Sequence, residues 1–304
     1  MILRDRPSAL HLFFILRGSI LPRIAGPLLA TIAIAVAVTL VHGRLFDVKI
    51  TLTPIPFSLM GLALAIFLGF RNSAAYDRWW EGRKLWGEVL IRGRTQARLW
   101  LNHVTPADPA EATRQMYRLI AYAYALKHAL RGVGDERAAA FLDDAELADP
   151  AHGVNPPDFI LRRLGAGVAA AARDGRLAPM MAAEMEENLT ALAAVQAGCE
   201  RIRATPLPFA YTLMLHRTAY LYCLLLPFGL VDSIGYATPL VVGLISYTFF
   251  GLDALGDEIE EPFGRLANDL PLDSLCRRLE IDLRAALGET DLPPVLQPVD
   301  FCLM

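Results

Sequence analysis

The chain has 304 residues, 54% of them hydrophobic and only 20% charged, with a formal net charge of -3 and a mean hydropathy of +0.36. That is too apolar for a water-soluble domain of this size, so part of its surface must face something other than water. With a pI near 6.1 there is no basic field to hold nucleic acid, and Cys199, Cys223, Cys276 and Cys302 form no CxxC pair, so neither a disulfide framework nor a zinc ribbon is indicated.

At the N-terminus Arg4 and Arg6 precede an apolar stretch from Leu10 to Leu16, which Arg17 and Arg23 close without a small-residue cleavage site. Residues 1–23 are therefore expected to be a cytoplasmic amphipathic segment on the membrane surface and no signal peptide. Ile24 to Gly43 follow, 20 residues carrying no acid or base except His42. At about 1.5 Å per residue they cover a bilayer core of about 30 Å. Ile50 to Phe70 add 21 more, with Pro54 and Pro56 near the entrance, where proline is tolerated. Residues 24–70 are thus predicted to be two spanning helices joined by a short loop.

Residues 71–205 are predicted to form a cytoplasmic helical domain. Met116, Leu119, Ile120, Ala123, Lys127 and Leu130 recur at helical spacing and stop at Gly132. A second long helix is expected from about Pro179 to Arg203, with Met181, Met185, Leu189, Leu192 and Val195 on one side, and Asn155, Pro156 and Pro157 read as a turn between helices. No alternating β-branched run argues for a sheet. The third span, from Pro206 to Val231, is interrupted by His216 and Arg217, which leave 14 uncharged residues after them. An arginine at the centre of a spanning helix costs about 2.5 to 3.5 kcal/mol, so this helix is expected to be buried in protein or to extend into the cytoplasm. Ser233 to Leu252 make a fourth span of 20 uncharged residues, completing residues 206–252, and residues 253–304 are left as a cytoplasmic helical region and tail. Arg and Lys crowd before the first span and after the second, which puts both termini on the cytoplasmic side.

Two ridges run along the second span. Gly61, Ala65 and Gly69 make a flat one, which lets a neighbouring helix approach closely, and beside it Leu62, Ile66 and Phe70 make a bulky one about 12 Å long. Spacing alone leaves two readings of the bulky ridge open. It faces lipid or a bundle core, or several subunits bring it to a shared axis as a hydrophobic constriction that gates by dewetting.

From Phe67 the chain reads FLGFRNSAAYDRWWEGRKLWG, from Leu207 LPFAYTLMLHRTAYLYCLLLPFGL, and from Ser246 SYTFFGLDALGDEIEEPFGRLANDLPLD, with LRGSILPRI at residues 16–24. These blocks resemble the bestrophin family of ion channels in its bacterial branch, over roughly Arg4 to Arg284. The resemblance implies a homopentamer in which the second helices of five subunits line a membrane neck made by Leu62, Ile66 and Phe70. It also implies a second, cytoplasmic aperture at Met180, the residue after the RDGRLAP stretch. Animal members bind calcium through an acidic run after a PFG motif. Here Glu260, Glu261, Pro262, Phe263 and Gly264 resemble its start, but Arg265, Leu266, Ala267 and Asn268 replace the run before Asp269, so no calcium activation is expected and no metal site is assigned.

Asp257, Glu258, Glu260 and Glu261 are instead expected to pair with arginines of a neighbouring subunit. Trp79, Trp80 and Trp86 are expected in an interfacial aromatic belt, and Arg78 or Arg83 with Glu81 in an inter-subunit ion pair. No catalytic residue or cofactor is indicated. The expected protein is an all-α, multi-pass protein of the bacterial inner membrane, with four transmembrane helices and a helical cytoplasmic domain per subunit, assembled as a ring around a central pore. It would pass small monovalent ions, chloride and other anions by resemblance, with sodium or potassium as the alternative. Readings of other classes are a membrane-anchored helical scaffold without conduction, or a proton-coupled transporter or intramembrane enzyme using His216 and Arg217.

Overall fold

The computed structural model describes residues 1–4, 8, 10, 14–16, 18–42, 44–45, 48–49, 53–134 and 136–304. The amphipathic segment expected over residues 1–23 turns on residues 5–7, 9, 11–13 and 17, which lie outside the described residues. In chain order the elements are α1 (Leu21–Leu40), a two-residue antiparallel ladder of β1 (Arg44–Leu45) and β2 (Val48–Lys49), α2 (Pro54–His103), α3 (Pro109–Arg131), α4 (Glu136–Ala139), α5 (Asp144–Ala148), α6 (Pro156–Arg173), α7 (Pro179–Ala204), α8 (Phe209–Ile234), a 3-10 turn (Gly235–Ala237), α9 (Thr238–Glu260) and α10 (Leu272–Ala286). They group into two compact units, one of Asp5–Trp79 and Pro206–Glu261, the other of Met1–Arg4, Trp80–Thr205 and Pro262–Met304.

The first unit contains α1, the part of α2 up to Trp79, α8 and α9. Three stretches among the described residues are long and apolar enough to cross a membrane: Leu21–Leu40, α2, and the 52 residues Phe209–Glu260 that hold α8 and α9. Inside lipid every polar group must find a partner within the protein. The hydroxyls of Thr31, Thr39, Thr218 and Thr248 accordingly donate to carbonyls four residues back, at 2.7 to 3.0 Å. Phe57, Leu64 and Leu68 of α2 pack with Leu215, Tyr222 and Leu226 of α8 and with Val242, Phe249 and Phe250 of α9.

The contact between α2 and α8 is close enough to require glycine. A methyl on Gly229 would fall 2.7 Å from the Phe57 ring, and one on Gly61 would fall 2.7 Å from the Tyr222 hydroxyl oxygen. Of the predicted flat ridge, Gly61 alone receives a neighbour within the chain, since Ala65 is exposed and nothing lies near Gly69.

The second unit is built around α3, which packs against α6, α7 and α10. Met116, Leu119, Ile120, Ala123, Lys127 and Leu130 are all buried, as their spacing predicts. The helix begins at Asp108, whose carboxylate accepts from the Ala110 amide, and ends at Gly132 in the left-handed conformation at φ 65°. Asn155, Pro156 and Pro157, read as a turn, open α6: Asn155 caps it by accepting from the Asp158 amide at 3.3 Å, and Pro156 takes the first helical position, where no N–H is needed.

Buried polar groups are tied together. Lys127 and Arg131 both donate to Asp273 at 2.7 Å, and Tyr124 and Arg137 donate to Glu280 at 2.7 and 2.8 Å. The two chain ends lie side by side, with the Leu3 amide donating to Phe301 and the Leu303 amide to Met1, both at 2.8 Å.

Candidate functional site

The second apolar ridge is left uncovered. Leu62, Ile66 and Phe70 are 62%, 48% and 64% exposed, whereas Leu64 and Leu68 on the other side of α2 are 2% and 0% exposed. One helix face is therefore spent on the unit's own core, and the other projects three bulky apolar side chains away from it. The ridge is therefore no part of the chain's own core.

Directly after the ridge, Arg71 points the opposite way. Its side chain is fully buried, with Nη1 donating to the Asp253 carbonyl at 3.1 Å and to Asp253 Oδ1 at 2.9 Å, while Nη2 pairs with Asp257 and stands 3.7 Å from Glu260 Oε2. The other Asp253 oxygen is 2.6 Å from His216 Nδ1 on α8, and Arg23 reaches Asp257 at 3.6 Å. Asn72 donates to the Leu252 carbonyl at 3.0 Å, and a side chain on Gly256 would overlap Asn72, so α9 can lie this close to α2 only through that glycine. The end of the ridge is thus clamped to α8 and α9, and at the centre of the clamp the Arg71–Asp253 pair is shielded from water, which makes it stronger than an exposed one.

This clamp corrects two expectations. Asp257 and Glu260 pair with arginines of their own chain, because helical spacing turns Arg71 inward and sequence cannot say which arginine lies across from an acid. His216 is engaged by Asp253, and Arg217 is exposed on α8, so of the two expectations for the third apolar segment, burial of its arginine within the chain is not met. Three further assignments shift. Glu81 pairs with Arg201 at 2.5 Å. Arg78 Nε donates to the Glu260 carbonyl at 3.2 Å. Trp86 is fully buried in the core of the second unit and belongs to no interfacial belt. Sequence reasoning missed the clamp, and the only available signal was an uninterrupted helix running past Arg71.

Met180 sits in the first turn of α7, after Pro179, and is 82% exposed, so it is no ordinary core methionine. Among the described residues no group of three or more His, Cys, Asp or Glu is arranged to hold a metal ion.

A chain made almost wholly of helices, several of them apolar enough to span a bilayer, with a bulky apolar face left bare beside a buried charge clamp, falls in the class of all-α membrane proteins. Residues 1–285 match the family described as Bacterial/Fungal Bestrophin protein. A voltage-dependent anion channel-forming protein of Mesorhizobium japonicum is 47% identical over 99% of this chain and 96% of its own length. The voltage-dependent anion channel-forming protein YneE of Escherichia coli is 41% identical over 98% of each chain. A crystal structure of a bacterial bestrophin homolog from Klebsiella pneumoniae superimposes with a TM-score of 0.84 at 40% identity, covering 88% of this chain and 99% of that one. The chain belongs to the bacterial bestrophin family.

Proposed function

We propose that this protein is a homopentameric channel that passes small monovalent anions, chloride foremost, through a neck formed by Leu62, Ile66 and Phe70 of five subunits. The observation that carries the reading is the bare ridge on α2: a subunit that buries the other face of the same helix leaves these three side chains for something outside itself. Closed cyclic symmetry brings five copies to one axis, and an apolar ring controls passage by wetting and drying. An ion in a low-dielectric slab needs a continuous watery path, which the four helices of one chain do not leave room for.

In this reading α1, the first part of α2, α8 and α9 are the four spans. The 52 residues Phe209–Glu260 would measure about 78 Å as one straight helix, more than twice a bilayer core, and the turn at Gly235–Ala237 lets them cross twice. Residues 71–205 and 253–304 are cytoplasmic with both termini, in a bacterial inner membrane. The hydrogen-bonded pairing of the two chain ends supports their lying on one side. Met180 is the second, cytoplasmic aperture.

The names of the relatives favour anions. A cation preference is the second reading, and the exposed Asp77 favours it: it lies seven residues after Phe70, two turns along the same face. Purified protein reconstituted in planar bilayers should carry current, and the triple substitution Leu62→Ala, Ile66→Ala, Phe70→Ala should raise it. Reversal potentials under asymmetric NaCl decide the sign. Silence in both forms, or a particle without five-fold symmetry, would overturn the channel reading.

A further inference from the structure

The second unit carries a groove of about 250 Å³ between α3 and α6 that the channel reading does not use. Its polar wall is one face of α3, with Glu111, Arg114, Gln115 and Arg118 at helical spacing; Arg163 and Gly167 of α6 stand opposite among small residues. A seam between two helices is ordinarily closed by interdigitating side chains. Here the α6 side is too small to close it, and the α3 side is too polar.

Two independent observations indicate the ligand. The first is charge. Arg118 and Arg163 both turn to one oxygen of the buried Glu146, at 2.6 and 3.5 Å, so a single carboxylate serves two guanidinium groups. Glu111 is neutralised by a two-pronged contact from Arg176, at 2.5 and 3.2 Å. Arg114 is exposed and has no ion-pair or hydrogen-bond partner among the described residues. The groove therefore keeps an excess of positive charge.

The second is Gln115. It is only 3% exposed and lines the groove, yet its amide has no hydrogen-bond partner among the described residues. Its polar atoms keep an opening to the groove, so a ligand seated there can pair with an amide that none of the described residues engages. Gly167 makes room for it, since any side chain there would overlap the Gln115 amide nitrogen.

We infer that this groove binds a phosphate-class oxyanion, drawn from a soluble phosphate or phosphomonoester or from the headgroup of an anionic lipid. Guanidinium groups match tetrahedral oxyanions with paired N–H donors, and the Gln115 amide adds a donor from the floor. A cation would be repelled, and an apolar ligand would cut the Gln115 amide off from water without giving it a partner.

The test is thermal melting of the purified full-length protein at fixed ionic strength, because a ligand that binds the folded state raises its melting temperature saturably. One arm titrates inorganic phosphate against chloride in neutral detergent; the other compares nanodiscs of phosphatidylcholine with and without phosphatidylglycerol. Arg114→Gln removes an exposed side chain, and Gln115→Leu removes the groove-facing amide at nearly constant volume, so both variants should fold. Each is expected to weaken half-saturation about tenfold, the loss of one charge-assisted or one buried hydrogen bond. A saturable response to inorganic phosphate that depends on both residues assigns a soluble ligand. The same dependence seen only with phosphatidylglycerol assigns a lipid headgroup. No response in either arm, or one that both variants keep, overturns the inference.

Discussion

Phe70 and Arg71 are consecutive, yet Phe70 is 64% exposed and Arg71 1%. The inversion follows from the 100° step of a helix, but its energetic consequence comes from the partners on the buried side. Removing one member of a buried ion pair strands the other, at about 3–5 kcal/mol. Arg71→Met should therefore lower stability by about that much, read in melting of the purified protein, while Phe70→Ala on the bare ridge should change it by less than about 0.5 kcal/mol. Equal losses would mean that the ridge serves the subunit fold after all. In the second unit, burial raises the Asp273 carboxyl, but the hydrogen bonds from Lys127 and Arg131 outweigh it and leave it below its ordinary value of 3.8. The stabilisation is then complete above that ordinary value and is lost as pH falls through the lower folded one. Asp273→Asn should destabilise the protein at neutral pH and flatten its acid limb, in melting curves taken between pH 7 and pH 3.

At the scale of elements, α2 joins two regions that the sequence reads apart. The second span is predicted to reach Phe70, where charge begins, and the residues after it to be helical; one helix runs unbroken through that point to His103, 50 residues in all. Charge reports the solvent around a segment and says nothing of its backbone. Ala75, Trp86, Val89, Ala97 and Trp100 keep an apolar face going beyond Phe70, and no proline interrupts it. The ends of α3 and α7 were legible because Gly132 and Pro179 are local signals, whereas the start of α6 was read as a turn because Asn-Pro-Pro serves both purposes. Helix contacts were less legible. Gly229→Ala should cost about 1–3 kcal/mol by overpacking against Phe57. Gly69→Ala, with nothing nearby in the subunit, should be neutral or stabilising by up to about 1 kcal/mol in a separated subunit. A loss at Gly69 confined to the assembled particle would place a neighbouring copy against that glycine.

For the whole molecule, hydropathy and periodicity determined most of the architecture: all-helical, apolar segments near both ends of the chain, and a long polar helical region between them. Those properties are sums over many residues and survive without knowledge of any contact. The ridge of Leu62, Ile66 and Phe70 was also visible as spacing, though whether it was core or surface was not. Only the tertiary structure decided that it is bare, that Asp253 and Asp257 close on Arg71 of their own chain, and that Gln115 lines a groove between α3 and α6. The physical reason is the same in each case. An ion pair, a hydrogen bond or an exposed face depends on which helix side meets which neighbour, and that is set by packing between residues far apart in sequence, 186 positions for Arg71 and Asp257, a distance over which no local pattern in the chain carries information.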